Sequence, residues 1–235
     1  MSRIKLLTFD LDDTLWDVAT VIRRADREMM VWLAANYPAL VAQFDQAAFF
    51  ALRREVHAQN PDIRHDLGAL RLRTLELALL RSGHDEATAQ RGAADAFAVF
   101  FQWRNTVDFF PGVIETLQQL RPHYTLYALS NGGADIAHMG LASIFSLHLS
   151  AASVGAAKPD PAMYVQALQH AGVDAEQAIH IGDHPEEDIA AAQSVGMKTI
   201  WVNRQGREWV LPQRADAEIG DFEGLPALIA QIAGG

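Results

Sequence analysis

Four apolar runs of strand length constrain the fold most: IKLLTFD (4–10), YTLYALSN (124–131), AIHIGD (178–183) and KTIWVN (198–203). Each ends in polar residues, and the first three pass directly into residues suited to a turn or a helix start. The fourth follows a helical pattern, EEDIAAAQSVGM, that Gly196 can close. Continuous rather than alternating hydrophobicity means strands buried on both faces. Strands of that kind, alternating with helices, predict a parallel α/β sheet covered on either side.

Residues 18–106 break this rhythm. Their apolar spacing is helical throughout, with interruptions near Pro38, Pro61 and Gly83. The expected organisation is an α/β core from 1–17 and 107–235, with a four-helix insert over 18–106. Half of the 235 residues are hydrophobic, enough for a sizeable core. The chain has no cysteine, which removes disulfides and thiolate chemistry and fits a reducing compartment. A formal net charge of −10 without a long Lys/Arg stripe argues against nucleic-acid and anionic-membrane partners. The first apolar run is too short for a signal peptide or a membrane span, so a cytoplasmic location is expected.

The first run leads into FDLDDT, where Asp10, Asp12 and Thr14 form a DxDxT pattern. Ligands of parallel sheets bind at the carboxyl ends of strands, so these acids face a crevice able to hold a divalent cation such as Mg²⁺. Acids after a strand are also ordinary caps and turn formers. Ser130 and Asn131 end the second run, offering a hydroxyl and backbone N–H groups to a phosphoryl oxygen, or simply forming an Asn-Gly turn. Lys158 precedes Pro159, and Asp183 ends the third run, five residues before Asp188. Alone, such a lysine reads as a surface charge and Asp188 as a helix-dipole partner.

Taken together and in this order, DxDxT, Ser130, Lys158-Pro159 and GDxxxxD resemble the four motifs of the haloacid dehalogenase (HAD) superfamily, and FDLDDTL is a common opening of its members. The resemblance spans nearly the whole chain. It implies a Rossmann-like core with strand order 5-4-1-2-3, Mg²⁺ dependence, and a helical cap of the subfamily I type where the insert lies.

The same resemblance implies the roles. Asp10 is the nucleophile that becomes an aspartyl phosphate, and Asp12 protonates the leaving oxygen and then activates water. Asp10, the main-chain carbonyl of Asp12, and Asp183 hold Mg²⁺. Ser130 and the Asn131 backbone grip the phosphoryl group, and Lys158 neutralises charge on it and on Asp10. Asp188 orients Lys158 or a metal-bound water, and Thr14 braces the loop. Asp13 is a helix cap or ion-pair partner, while His184 stands where many relatives carry Ser, Thr or Asn.

Within the insert, NPDIRHDLGALRLR resembles a bacterial subgroup that dephosphorylates flavin-pathway compounds, phosphoribitylaminouracil and FMN. Pro61, His65, Asp66, Arg71 and Arg73, with Trp16 and Asp17 at the entrance to the insert, are the candidates for shaping substrate preference. The competing reading has the arginines lying along a helix, His65 capping one, and Trp16 and Asp17 only packing the hinge. The expected substrate is a small-molecule phosphate ester, handled by a monomer or homodimer. A dehalogenase is disfavoured because that reaction needs neither Mg²⁺ nor a leaving-group acid such as Asp12. A phosphomutase and a catalytically idle binding protein of the same fold are the remaining alternatives.

Overall fold

The computed structural model describes residues 3–234. The chain divides into two compact units, Met1–Asp17 with Asp108–Gly235, and Val18–Val107.

The first unit is built on a six-stranded sheet of order β3-β2-β1-β4-β5-β6, parallel throughout. β1 (Leu6–Phe9) is buried at every position. The chain returns to this unit at α6 (Val113–Leu120, numbered after the five helices of the second unit) and continues through β2 (Thr125–Ser130), β3 (Leu147–Ser150), α7 (Ala151–Val154), α8 (Ala162–Ala171) and β4 (Ala178–Gly182). A π-helical turn (Pro185–Ala190), α9 (Ala191–Ser194), β5 (Lys198–Val202), β6 (Ala217–Ile219) and α10 (Leu225–Gly234) complete it. The order is the expected 5-4-1-2-3 read from the opposite edge, with β6 added beside β5.

The strands visible in the sequence are β1, β2, β4 and β5, which lie at the centre and are almost wholly buried. β3 and β6 were not visible. Both are edge strands of three or four residues, half-buried or exposed, so neither needs a continuous apolar run. Register places Phe9 level with Ala128 of β2 and Ile181 of β4, so the three central strands end together. Their carboxyl ends carry Asp10, Ser130 and Asp183.

The second unit is helical: α1 (Val18–Asn36), α2 (Pro38–Gln43), α3 (Gln46–Gln59), a 3-10 turn (Pro61–Ile63), α4 (Leu67–Arg81) and α5 (Glu86–Arg104). Four of these are the expected helices. The fifth, α2, arises because Pro38 breaks one helix and supplies the first residue of another. Asp45, Asp66 and Asp85 cap α3, α4 and α5 by accepting from the backbone N–H of Ala48, Ala69 and Thr88. The α4 cap is therefore Asp66, not His65.

Ala89, Gly92, Ala93 and Ala96 give α5 a small-residue face where it packs in the helical core. A Cβ at Gly92 would lie 2.6 Å from the Tyr37 ring and 3.0 Å from Leu79. The Tyr37 ring is itself held between Trp32 and His84, with centroids 5.9 and 5.2 Å away. Gly92→Ala is thus expected to lower stability by about 1–3 kcal/mol despite its better helix propensity, measurable as a lower urea midpoint.

Candidate active site

The loop after β1 turns sharply. Asp13 sits at φ +61°, a left-handed conformation that Asp tolerates, and its N–H donates to the Trp16 carbonyl at 2.9 Å. Asp13 is therefore the turn residue here and not the cap of α1, which starts at Val18. The turn sends Thr14 back over the strand end, where its hydroxyl donates to Asp10 Oδ2 at 2.8 Å. Trp16 is fully buried, packs edge-on against Phe109 and donates its indole N–H to Asp12 Oδ1 at 2.9 Å. Trp16, offered by the sequence either as a pocket residue or as hinge packing, is fully buried and orients Asp12.

Lys158 is 3% exposed, and its ammonium has a partner for each proton: Asp10 Oδ1 at 2.7 Å, Asp188 Oδ1 at 2.6 Å and the Leu129 carbonyl at 3.0 Å. The Asn131 side chain clamps the lysine's main chain, donating to its carbonyl at 2.9 Å and accepting from its N–H at 2.7 Å. The same amide donates to Glu187 at 2.8 Å. Its carboxamide is thus structural, which sequence spacing did not reveal. Ser130 is buried beside it, its Oγ accepting from Gly132 N–H at 2.9 Å.

Asp188 is packed so closely against Gly182 that a Cβ there would lie 2.4 Å from its carboxyl carbon. Only glycine fits before Asp183. Asp188 Oδ1 accepts from Lys158 and lies 3.3 Å from His180 Nε2, while Oδ2 accepts from His184 N–H at 2.9 Å. His184 itself caps the π-helical turn, Nδ1 accepting from Glu187 N–H at 3.1 Å. Asp183 accepts from Arg207 at its carbonyl, 2.6 Å, and at Oδ2, 3.1 Å. Neither Arg207, from the irregular segment after β5, nor His180 stood out in the sequence. A lone arginine in a loop and a single histidine in a strand carry no local signature.

One ligand oxygen from each of Asp10, Asp183 and Asp188 lies within 4.8 Å of the others. Two of these acids, Asp10 and Asp188, share the Lys158 ammonium and the third, Asp183, pairs with Arg207, so the three carboxylates outnumber the cations beside them. Burial, with help from Asp188 and Asp183 and against the pull of Lys158, pushes the Asp10 carboxyl well above its ordinary range. Burial and the Asp188 charge likewise raise Asp183, to about 6, although Arg207 opposes them. Asp188 goes the other way: burial would raise it, but Lys158 and His180 outweigh burial and hold it low. For Lys158, burial favours loss of the proton, yet Asp10 and Asp188 prevail and keep it charged. A divalent cation fits this donor set, since it would relieve the repulsion that raises Asp10 and Asp183.

A sequence profile of the haloacid dehalogenase-like hydrolases matches residues 4–196. The chain belongs to this family. It is similar to the 5-amino-6-(5-phospho-D-ribitylamino)uracil phosphatase YigB of Escherichia coli, 35% identical over 97% of this chain and 98% of that one. It also resembles the glyceraldehyde 3-phosphate phosphatase of Methanopyrus kandleri, at 27% identity over 94% of this chain and 92% of its relative. Among solved structures, the 2-haloacid dehalogenase from Pseudomonas syringae pv. Tomato superposes with a TM-score of 0.94 at 42% identity, covering 97% of this chain and 99% of that one.

In the helical unit, Arg71 is bound to Asp26 at 2.5 Å and lies over the Phe100 ring at 3.6 Å. It also lines a concavity of about 500 Å³ with Phe44, Phe49 and Arg53. Arg73 pairs with Glu76 on the surface, and His65 is half-buried just before the α4 cap. No helix among the described residues is long and apolar enough to cross a membrane.

Proposed function

We propose that this family member is a Mg²⁺-dependent phosphomonoesterase working through an aspartyl phosphate on Asp10. The observation that carries this reading is the pairing of Asp10, held by Thr14 and Lys158, with a second carboxylate, Asp12, oriented separately by Trp16. A carboxylate nucleophile alone serves either C–halogen or phosphoryl chemistry. The separately held Asp12 favours the latter, because only an oxygen leaving group needs a proton.

In this mechanism an Asp10 oxygen attacks phosphorus in line as the ester P–O bond breaks, and Asp12 gives its proton to the departing oxygen. Asp12, now ionised, takes a proton from water, which attacks phosphorus and frees Asp10 and inorganic phosphate. Lys158 stays charged throughout and offsets the charge on the transferring group, while Ser130 and the Asn131 main chain hold its oxygens. Asp10, the Asp12 carbonyl and Asp183 would hold Mg²⁺, which supplies positive charge that lets an anionic nucleophile approach an anionic ester. Asp188 is the least suited to ligation, since its Oδ1 already faces both Lys158 and His180.

His65 and Arg71 of the helical unit are the residues this reading assigns to substrate preference. The name of the YigB relative makes a ribityl phosphate carrying a heterocycle the first substrate to try. A panel of that compound, FMN, sugar phosphates and p-nitrophenyl phosphate, with 2-chloropropionate as the halogenated control, tests the reading. Phosphate release without chloride release is expected. EDTA is expected to abolish turnover, and Mg²⁺ to restore it and raise the melting temperature. Chloride release from 2-chloropropionate in EDTA would favour instead the reaction named for the Pseudomonas syringae neighbour.

A further inference from the structure

β1 and β4 are apolar except for Thr8 and His180, and both polar residues are fully buried at positions directly opposite each other in the sheet. Parallel central strands ordinarily place Val, Ile or Leu there. The pair makes one bond to itself, Thr8 Oγ1 to His180 Nδ1 at 2.8 Å, and the other ring nitrogen points out of the strand to Asp188 Oδ1 at 3.3 Å. Asp188 binds Lys158, Lys158 binds Asp10, and Asp10 lies two residues beyond Thr8 on the same strand. The five side chains therefore form a ring closed by the β1 backbone.

We infer that Thr8 and His180 are positioning residues that fix Asp188, and through it the placing of Lys158 against Asp10. This rests on the phosphatase reading above for its catalytic consequence. The direction of each bond follows from donor chemistry. An ionised carboxylate only accepts, so His180 presents Nε2–H to Asp188; its Nδ1 is then bare, and Thr8 donates to it. Burial, reinforced by the Lys158 charge and opposed by Asp188, lowers the proton affinity of the ring and keeps it neutral. A neutral donor holds Asp188 without competing with Lys158 for its charge. The hydroxyl of Thr8 selects the tautomer that can do so.

The test pairs kinetics with a direct reading of the ring. In Thr8→Val and His180→Leu, kcat for p-nitrophenyl phosphate at saturating Mg²⁺ is expected to fall about tenfold or more, with KM within about twofold. Thr8→Ser, which keeps the hydroxyl, and His180→Gln, which keeps a donor toward Asp188, are expected to recover most of kcat. Ring ¹⁵N spectra, with His180 assigned by the signal missing from His180→Gln, are expected to show the neutral Nε2–H tautomer in the wild type and its disturbance in Thr8→Val. Values of kcat within about twofold of wild type in Thr8→Val alongside a lowered melting temperature would reduce the pair to core packing. An Nδ1–H ring would overturn the inference outright. Should the wild type hydrolyse no ester, the phosphatase reading fails and the catalytic half of this inference fails with it, while the spectra still decide the hydrogen-bond ring.

Discussion

Asp10→Asn is expected to lower phosphate release by about four orders of magnitude or more, because the amide removes the attacking carboxylate oxygen. Stability is expected to move the other way. Asp10 is buried among other acids and its carboxyl is pushed well above the ordinary range, so its charge costs free energy in the folded state. An amide at this position still offers an oxygen to Lys158 and relieves that cost. The variant should melt at or above the wild-type temperature at neutral pH while being inactive. A variant that keeps more than about a hundredth of wild-type kcat would remove Asp10 from the nucleophile's role.

Lys158→Met should damage both fold and activity. Its buried ammonium joins Asp10, Asp188 and the Leu129 carbonyl, so its loss leaves two buried carboxylates without the cation they share. Removing one partner of a buried ionic cluster costs about 3–5 kcal/mol, which for a chain of this size lowers the melting temperature by about 10 °C or more. The sign with pH follows from the acids left behind. Their carboxylates are destabilising when ionised, so the deficit relative to wild type should be largest near neutral pH and shrink as pH falls and they take up protons. Added Mg²⁺ should recover part of the lost stability in this variant, while catalysis stays impaired. Lys158→Arg is not expected to rescue it, since a planar guanidinium cannot aim three donors at acceptors placed around a single nitrogen. Thermal melts across pH, with and without Mg²⁺, check each point.

The parts of this fold that could be read from sequence are those where burial is complete. LLTF, TLYALS, AIHIG and KTIWV announce themselves because both faces of a central parallel strand must be apolar. LHLS and AEI do not, because an edge strand with a half-buried face tolerates His and Glu. The short α2 was hidden because Pro38 signals a break and a start with the same residue.

The site divides in a similar way. Asp10 and Asp183 could be picked out because each ends a strand, Lys158 because it precedes a proline and Asp188 because it follows Asp183 by five residues; the fold brings Asp10 and Asp188 to the lysine and an oxygen of Asp183 within 4.8 Å of theirs. What spacing does not carry is which group each partner holds. Trp16 orienting Asp12, Asn131 clamping the lysine backbone, and Arg207 reaching Asp183 from the segment after β5 depend on side-chain direction in three dimensions. Thr8 and His180 were hidden for the opposite reason, each being a single polar residue inside a strand whose apolar pattern dominates its reading.

The most direct measurement is acid quenching of the wild-type enzyme during turnover of a phosphomonoester, followed by mass mapping of its peptides. A single phosphoryl group on the peptide containing Asp10, formed with Mg²⁺ and absent in EDTA, is the expected result. Steady phosphate release with that peptide unmodified, or with the phosphoryl group on another residue, would contradict a mechanism built on Asp10.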